Sequence, residues 1–177
     1  MIQKDAFYIE PLLLDDVKGV HHLMISNAEK FKTFLPKTLE QNLNLETSHE
    51  FVANKVEKHL SKDEFLFTIK ENIIKQVVGL VYIKELDWNK RQGEFAYCIA
   101  SEFEGKGWMR KTITALSDYA LNNLGLKTLQ IIVHKSNLGS VKVAKNCNFT
   151  WQSTLPNEYT PPDGTPLDME LYELYKK

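Results

Sequence analysis

Apolar residues recur at two spacings along this chain, and each change of spacing marks an element. Phe7, Ile9 and Leu12 to Leu14 predict a first strand within residues 6–14. Val17, Val20, His21 and Met24 then keep a helical period, and Asp15 or Asp16 is placed to cap a helix over about 16–27. Phe31, Phe34, Leu35 and Pro36 are apolar but irregular, and Pro36 is expected to end any helix there. A second helix is predicted over about 46–61, capped by Thr47 or Ser48, with Phe51, Val52, Val56 and Leu60 as its buried stripe. From Phe65 the period falls to two. Phe65, Phe67 and Ile69, then Val77 to Ile83, then Gly93 to Ala100 read as three strands of an antiparallel meander, with turns at Asn72 and across 87–92.

The helical period returns at Trp108 and persists to Leu124, where Gly125 supplies a stop. Lys127 to His134 alternates as a strand. Strand, helix and strand within about 40 residues predict a crossover joining parallel strands. A short helix over about 137–147, capped by Ser136 or Asn137, precedes two tail strands, Phe149 to Leu155 and Asp168 to Leu174, around the Pro161-Pro162-Asp163-Gly164 turn. The expected class is α+β: a single domain over 1–177, with a mixed, mostly antiparallel sheet flanked by helices and a central β-α-β crossover.

Composition narrows the function. The 22 basic and 23 acidic residues leave a net charge of −1, so the basic footprint of a nucleic-acid binder is absent. The two cysteines, Cys98 and Cys147, are too few for a disulfide framework and lie in no CxxC pair, which fits a reducing, cytoplasmic setting. No apolar run reaches the roughly 18 residues of a membrane span. The five histidines show no metal-ligand spacing, so no metal is expected.

The stretch Glu104-Gly105-Lys106-Gly107-Trp108-Met109-Arg110-Lys111 carries the most chemistry. It follows a predicted strand and opens a helix, so its glycines leave amides uncovered at a positive helix end, which suits a phosphorylated ligand. A Gly-x-Gly pair is a weak signal by itself. The dinucleotide fingerprint fails because Arg110 stands at its third glycine, and no GxxxxGK[ST] is present. The order of the parts adds weight: strand, glycine loop, helix, strand, then Asn137-Leu138-Gly139-Ser140 and Asn148-Phe149.

That order resembles the GNAT superfamily of acyl-CoA-dependent N-acetyltransferases, and within it the RimJ/RimL branch, whose named members acetylate ribosomal-protein N-termini. The resemblance covers nearly the whole chain. Glu104 to Met109 occupies the family's Gln/Arg-x-x-Gly-x-Gly/Ala pyrophosphate loop, with Gly107 as the key glycine. Asn137, Ser140 and Phe149 match its Asn-x-x-Ser helix ending in Gly-Phe. Gly93 to Tyr97 is similar to its Ala-Glu-Ile-Gly-Tyr strand, and Phe31 to Pro36 to the Leu-x-x-Phe/Trp-Leu-Pro segment that borders the acceptor site. The chain also departs from the pattern. Glu104 replaces Gln or Arg, Met109 a small residue, and Arg110-Lys111 a common Thr-Glu pair. Asn148 replaces Gly, which implies a positive φ there.

The resemblance implies an acetyl-CoA-dependent acetyl transfer by direct amine attack. The attacking amine must be neutral. An α-amine, with a pKa near ~8, needs a weaker base than Lys near ~10.4. Glu94 is the implied base, acting through water; its alternative role is a solvated or cross-strand-paired acid. The backbone amide of Ile99 or Ala100 is the implied oxyanion donor. Many family members protonate the thiolate with a Tyr, but that position is Ala144 here, so Ser140 is the implied substitute; an ordinary helix serine is the alternative. Ile99, Glu104, Gly105, Lys106, Gly107, Trp108, Met109, Arg110 and Asn137 would hold the donor, though a cap alone would explain Asn137. Lys135, Lys142 and Lys145 would meet the 3′-phosphate or form a solvated face. Phe31, Phe34, Leu35 and Tyr97 would bind the acceptor, a protein or peptide N-terminus or a small amine such as an aminoglycoside, polyamine or amino acid, and no acidic run singles out a polycation. A non-catalytic acyl-CoA-binding module is the alternative from another class. Homodimerisation stays open.

Overall fold

The computed structural model describes residues 1–4 and 6–176. Among the described residues, eight strands form one sheet in the order β1-β2-β3-β4-β5-β6-β8-β7. The chain divides into two compact units, Met1–Tyr82 with Tyr97–Trp108, and Ile83–Ala96 with Met109–Lys177.

In the first unit, β1 (Ile2–Gln3) and β2 (Phe7–Pro11) form an antiparallel pair, and β2 pairs on to β3 (Phe65–Glu71) with Ile9 opposite Ile69. Helices α1 (Val17–Ser26), α2 (Ala28–Phe31), α3 (Pro36–Glu40) and α4 (Leu45–Ser61) lie between β2 and β3 in sequence. Strand β4 (Val77–Asp87) contributes Val77 to Tyr82 to this unit, and β5 (Gln92–Ile99) contributes Tyr97 to Ile99. The core is built from Phe7, Ile9, Leu23, Met24, Leu66, Ile69 and Leu80, all nearly inaccessible.

Several local expectations change here. Pro36 opens α3 instead of ending a helix, because a residue without an N–H loses nothing at the first helical position. Asp16 precedes α1 without capping it by its side chain. One carboxylate oxygen accepts from the Leu13 amide at 3.0 Å and the other sits 2.6 Å from the buried Lys70 ammonium. Helix α4 is capped by Asn44, which accepts from the Thr47 amide, and not by Thr47 or Ser48. Leu60 lies in the last turn of α4 and is exposed, so the buried stripe stops short of it.

In the second unit, β5 runs parallel to β6 (Thr128–Val133), with Gln92 opposite Thr128 and Phe95 opposite Ile131. Helix α5 (Trp108–Asn122) is the crossover between them in sequence, and Gly125, at φ +76°, terminates it as expected. Helix α6 (Leu138–Asn146) follows. Strands β7 (Thr150–Tyr159) and β8 (Leu167–Tyr175) form the terminal antiparallel hairpin, with β8 also antiparallel to β6. A side-chain relay ties three strands: Gln92 Nε2 donates to Gln130, and Gln130 Nε2 donates to Glu173. Asn148 takes φ +64°, the left-handed backbone implied by a glycine position. Among the described residues, no helix is long and apolar enough to cross a membrane.

One close approach governs the end of β5. A Cβ on Gly79 would lie 2.8 Å from the Cys98 carbonyl oxygen and 3.1 Å from Ile69 Cδ1. Backbone cannot give way as a flexible side chain does. Gly79→Ala is therefore expected to lower unfolding free energy by about 2 kcal/mol, measured by urea denaturation; an unchanged midpoint would show that β4 and β5 separate freely.

Candidate functional site

The loop between β5 and α5 combines openness with firm anchoring. Gly105 and Gly107 take φ +71° and +74°, and a Cβ built on either would meet nothing within 4 Å. These glycines are needed for the backbone conformation and for bare backbone, not for packing. The first-turn amides of α5 have no intrahelical acceptor. The loop is pinned by an aromatic stack. The Trp108 ring is buried, stacked on Phe7 at 4.8 Å and tilted against Phe103 at 5.0 Å. The Lys106 ammonium lies 4.6 Å from the Phe103 centroid, which holds a cation beside the exposed backbone. Trp108 is thus a packing residue by its ring. Met109 is likewise buried, whereas Arg110 is exposed.

The end of β5 leads into this loop. The Ala100 amide donates to the Val78 carbonyl at 2.8 Å, so Ala100 is withdrawn as an oxyanion donor. Peptide planarity turns the Ile99 carbonyl to the opposite edge, and within an extended strand the Ile99 amide shares that edge. Ile99 is the remaining candidate. Its carbonyl accepts from Lys30 Nζ at 2.6 Å, and the same ammonium sits 2.7 Å from Glu104 Oε1. Sequence reading missed Lys30 because it lies on α2, far from the loop in sequence, and looks there like an ordinary solvated lysine.

The second unit holds the other candidates. Glu94 Oε1 is 2.8 Å from Lys84 Nζ, and its side chain is only 13% exposed. Burial raises the Glu94 pKa above the usual carboxylate range, Lys84 opposes that rise, and Glu85 and Glu158 add to it. The ion pair orients the carboxylate, while burial raises its affinity for a proton. Asn137 caps α6, its Oδ1 accepting from the Ser140 amide at 3.1 Å. That leaves the Asn137 amide group to donate elsewhere. Ser140 is half-buried in the first turn of α6, and Lys135, Lys142 and Lys145 are exposed.

Neither thiol is activated. Burial pushes the Cys98 pKa up to about 12 and also raises that of Cys147. Cys147 donates to the Arg110 carbonyl at 3.4 Å. Among the described residues, no group of three His, Cys, Asp or Glu side chains could hold a metal ion.

Of the proposed acceptor residues, Phe34, Leu35 and Tyr97 are half-buried. Phe31 is a correction. The short α2 turns its ring into the core at 3% exposure, so it forms no open wall. Thr38 of α3 meets the buried Tyr82 hydroxyl at 3.1 Å, which fixes the segment that follows Leu35 against β4.

Residues 7–150 match the family described as acetyltransferase (GNAT) domain. The spermidine N(1)-acetyltransferase of Escherichia coli K12 is 26% identical over 152 residues, covering 85% of this chain and 76% of that protein. The spermidine N(1)-acetyltransferase of Vibrio cholerae is 29% identical over 102 residues, and this match spans 58% of the chain and only 59% of the length of that relative. The crystal structure of the ribosomal-protein-S5-alanine acetyltransferase from Vibrio fischeri superposes with a TM-score of 0.92 over 98% of this chain and 95% of that one, at 18% identity, a likeness of fold.

The Glu94–Lys84 pair makes a titration prediction. Lys84 holds the Glu94 pKa down, so Lys84→Met leaves burial unopposed. Carbon-13 NMR of the Glu94 carboxyl should then titrate at higher pH than in the unsubstituted protein. A titration that stays in place or moves to lower pH would refute the pairing.

Proposed function

The chain belongs to the acetyltransferase (GNAT) family, and on that premise we propose that it transfers the acetyl group of acetyl-CoA to a primary amine, with the N-terminal α-amine of a protein or peptide as acceptor. The observation that carries the proposal is the loop at Gly105 and Gly107, whose left-handed backbone and empty Cβ space leave amides open at the start of α5. Those amides bind the diphosphate of the donor, with Lys106 and Arg110 adding positive charge. The amide group of Asn137 donates to the pantetheine arm.

Acetyl-CoA supplies an activated acyl carbon. Glu94 takes a proton from the amine through water, and the amine nitrogen forms its bond to that carbon. The Ile99 amide donates to the acyl oxygen as negative charge develops there. Ser140 donates a hydrogen bond to the sulfur as the carbon–sulfur bond breaks, and the departing thiolate takes up the second proton that the acylated nitrogen loses, leaving the amide and the free thiol of CoA. The buried, high-pKa thiols of Cys98 and Cys147 favour direct transfer over an acetyl-cysteine route. Phe34, Leu35 and Tyr97 contact the acceptor. The chain acts as one catalytic domain over 1–177.

An α-amine matches a carboxylate base better than a more basic amine does. A second reading takes a polyamine as acceptor. The named relatives that act on spermidine favour it, as do Glu85 and Glu158, whose negative charge acts on Glu94 and would attract a polycation.

Thiol release from acetyl-CoA, measured across peptides of varied first residue and spermidine, separates the readings. Peptide turnover is the expected result. Turnover of spermidine alone would install the second reading, and donor binding without thiol release on any acceptor would make the chain a binding module. Glu94→Gln should lower kcat/KM about a hundredfold below about pH 8, with the loss shrinking at higher pH where the amine is already neutral. A loss uniform in pH would remove Glu94 as base. Ser140→Ala should lower kcat more than it raises KM for acetyl-CoA; the reverse pattern would make Ser140 a binding residue.

A further inference from the structure

The anion-binding loop begins with a negative charge. Glu104 immediately precedes Gly105, and a bare carboxylate there repels a diphosphate approaching the amides of 105–110. The structure puts a cation on that carboxylate. Lys30 Nζ lies 2.7 Å from Glu104 Oε1, 2.6 Å from the Ile99 carbonyl oxygen, and 5.5 Å from the Phe31 ring centroid. A second contact from the same stretch of chain reinforces the first. The Ser101 amide donates to Asn27 Oδ1 at 2.9 Å, and Asn27 Nδ2 donates in turn to the Leu23 carbonyl of α1. Residues 27–30 therefore grip residues 99–104 at three points: Ile99, Ser101 and Glu104.

The grip spans the two groups that the donor needs. The Ile99 carbonyl lies on the β5 edge that also carries the Ile99 amide, and Glu104 lies at the start of the glycine loop. Lys106 does not replace Lys30, because its ammonium rests over Phe103 and Trp108. Resting on the acetyl-CoA reading above, we propose that Lys30 is a positioning residue for the acyl donor. It neutralises Glu104 and ties that carboxylate to the last residue of β5, so that a loop headed by an acid accepts a diphosphate. The Lys30 and Glu104 side chains are 32% and 55% exposed, so the effect is screened by salt.

The test is a double-substitution cycle read by calorimetry with acetyl-CoA. Lys30→Met should weaken binding about tenfold at low ionic strength by uncovering Glu104, with KM for acetyl-CoA rising and kcat nearly constant. In a Glu104→Gln background the same Lys30→Met should cost about twofold or less, because the charge it balances is gone. Lys30→Arg should retain most of the affinity. Equal losses in both backgrounds, or no loss from Lys30→Met, would overturn the proposal. Should Lys30→Met prove poorly folded by thermal unfolding, Glu104→Gln carries the test alone: by leaving Lys30 unbalanced beside the loop it should steepen the salt dependence of acetyl-CoA binding, and an unaltered salt dependence would count against the pair. Failure of the unsubstituted protein to bind acetyl-CoA would instead sink the parent reading, and this one with it.

Discussion

Two glycines in left-handed backbone set the terms for everything around them. Between β5 and α5 the chain must change direction while leaving amides bare. An L-residue at Gly105 or Gly107 would be strained, and its Cβ would stand in space now open. Openness alone would not make a binding loop, because a mobile loop loses its freedom when a ligand arrives and affinity suffers accordingly. The surrounding residues remove that freedom in advance. Phe7 and Phe103 hold the Trp108 ring, Asn27 holds the Ser101 amide, and Lys30 holds Glu104. Preorganised donors of this kind contribute to binding without a reorganisation penalty at the moment of contact.

Both candidate carboxylates are paired with a lysine, and burial makes the two pairs behave differently. Glu104 is 55% exposed, so water and salt share its charge with Lys30, and the pair acts chiefly on the field met by an incoming anion. Glu94 is 13% exposed, and its pairing with Lys84 works against a desolvation that raises its pKa. Proton affinity is what a base requires, and electrostatic neutrality is what an anion-binding loop requires. Under the proposed function the same chemical pair serves each need because one is exposed to water and the other largely is not.

Local order was legible in the chain, and long-range pairing was not. The strand, glycine loop and helix around 99–124 follow from periodicity and from two glycines, and the left-handed backbone of Asn148 was legible only through the resemblance, which puts a glycine there. Lys30 was invisible because its partners lie on another part of the chain, and nothing on a four-residue helix distinguishes a clamp from a solvated side chain. Lys84 and Glu94 flank a turn, yet counting register across it fails: Glu85 takes φ +48° and breaks the two-residue alternation of β4. Pro36 was misread because the same missing N–H that ends one helix is harmless at the first position of the next. Leu60 kept the helical spacing but lies in the last turn of α4, two residues before the left-handed Lys62, where it is exposed.

In the proposed reaction, these placements assign the work to backbone and paired carboxylates and not to a nucleophilic side chain. A thiol with a pKa near 12 is almost wholly protonated at neutral pH, so Cys98 offers no thiolate to a thioester. The amine must then attack directly, which requires that donor and acceptor be held together and that the amine be neutral when it arrives. The first requirement falls on the 105–110 loop and its anchors, and the second on a carboxylate whose burial has raised its affinity for a proton. A base of that strength copes with an α-amine more readily than with a strongly basic one. In the proposed reaction, acceptor choice is therefore set as much by the protonation of the amine as by the shape of its binding surface.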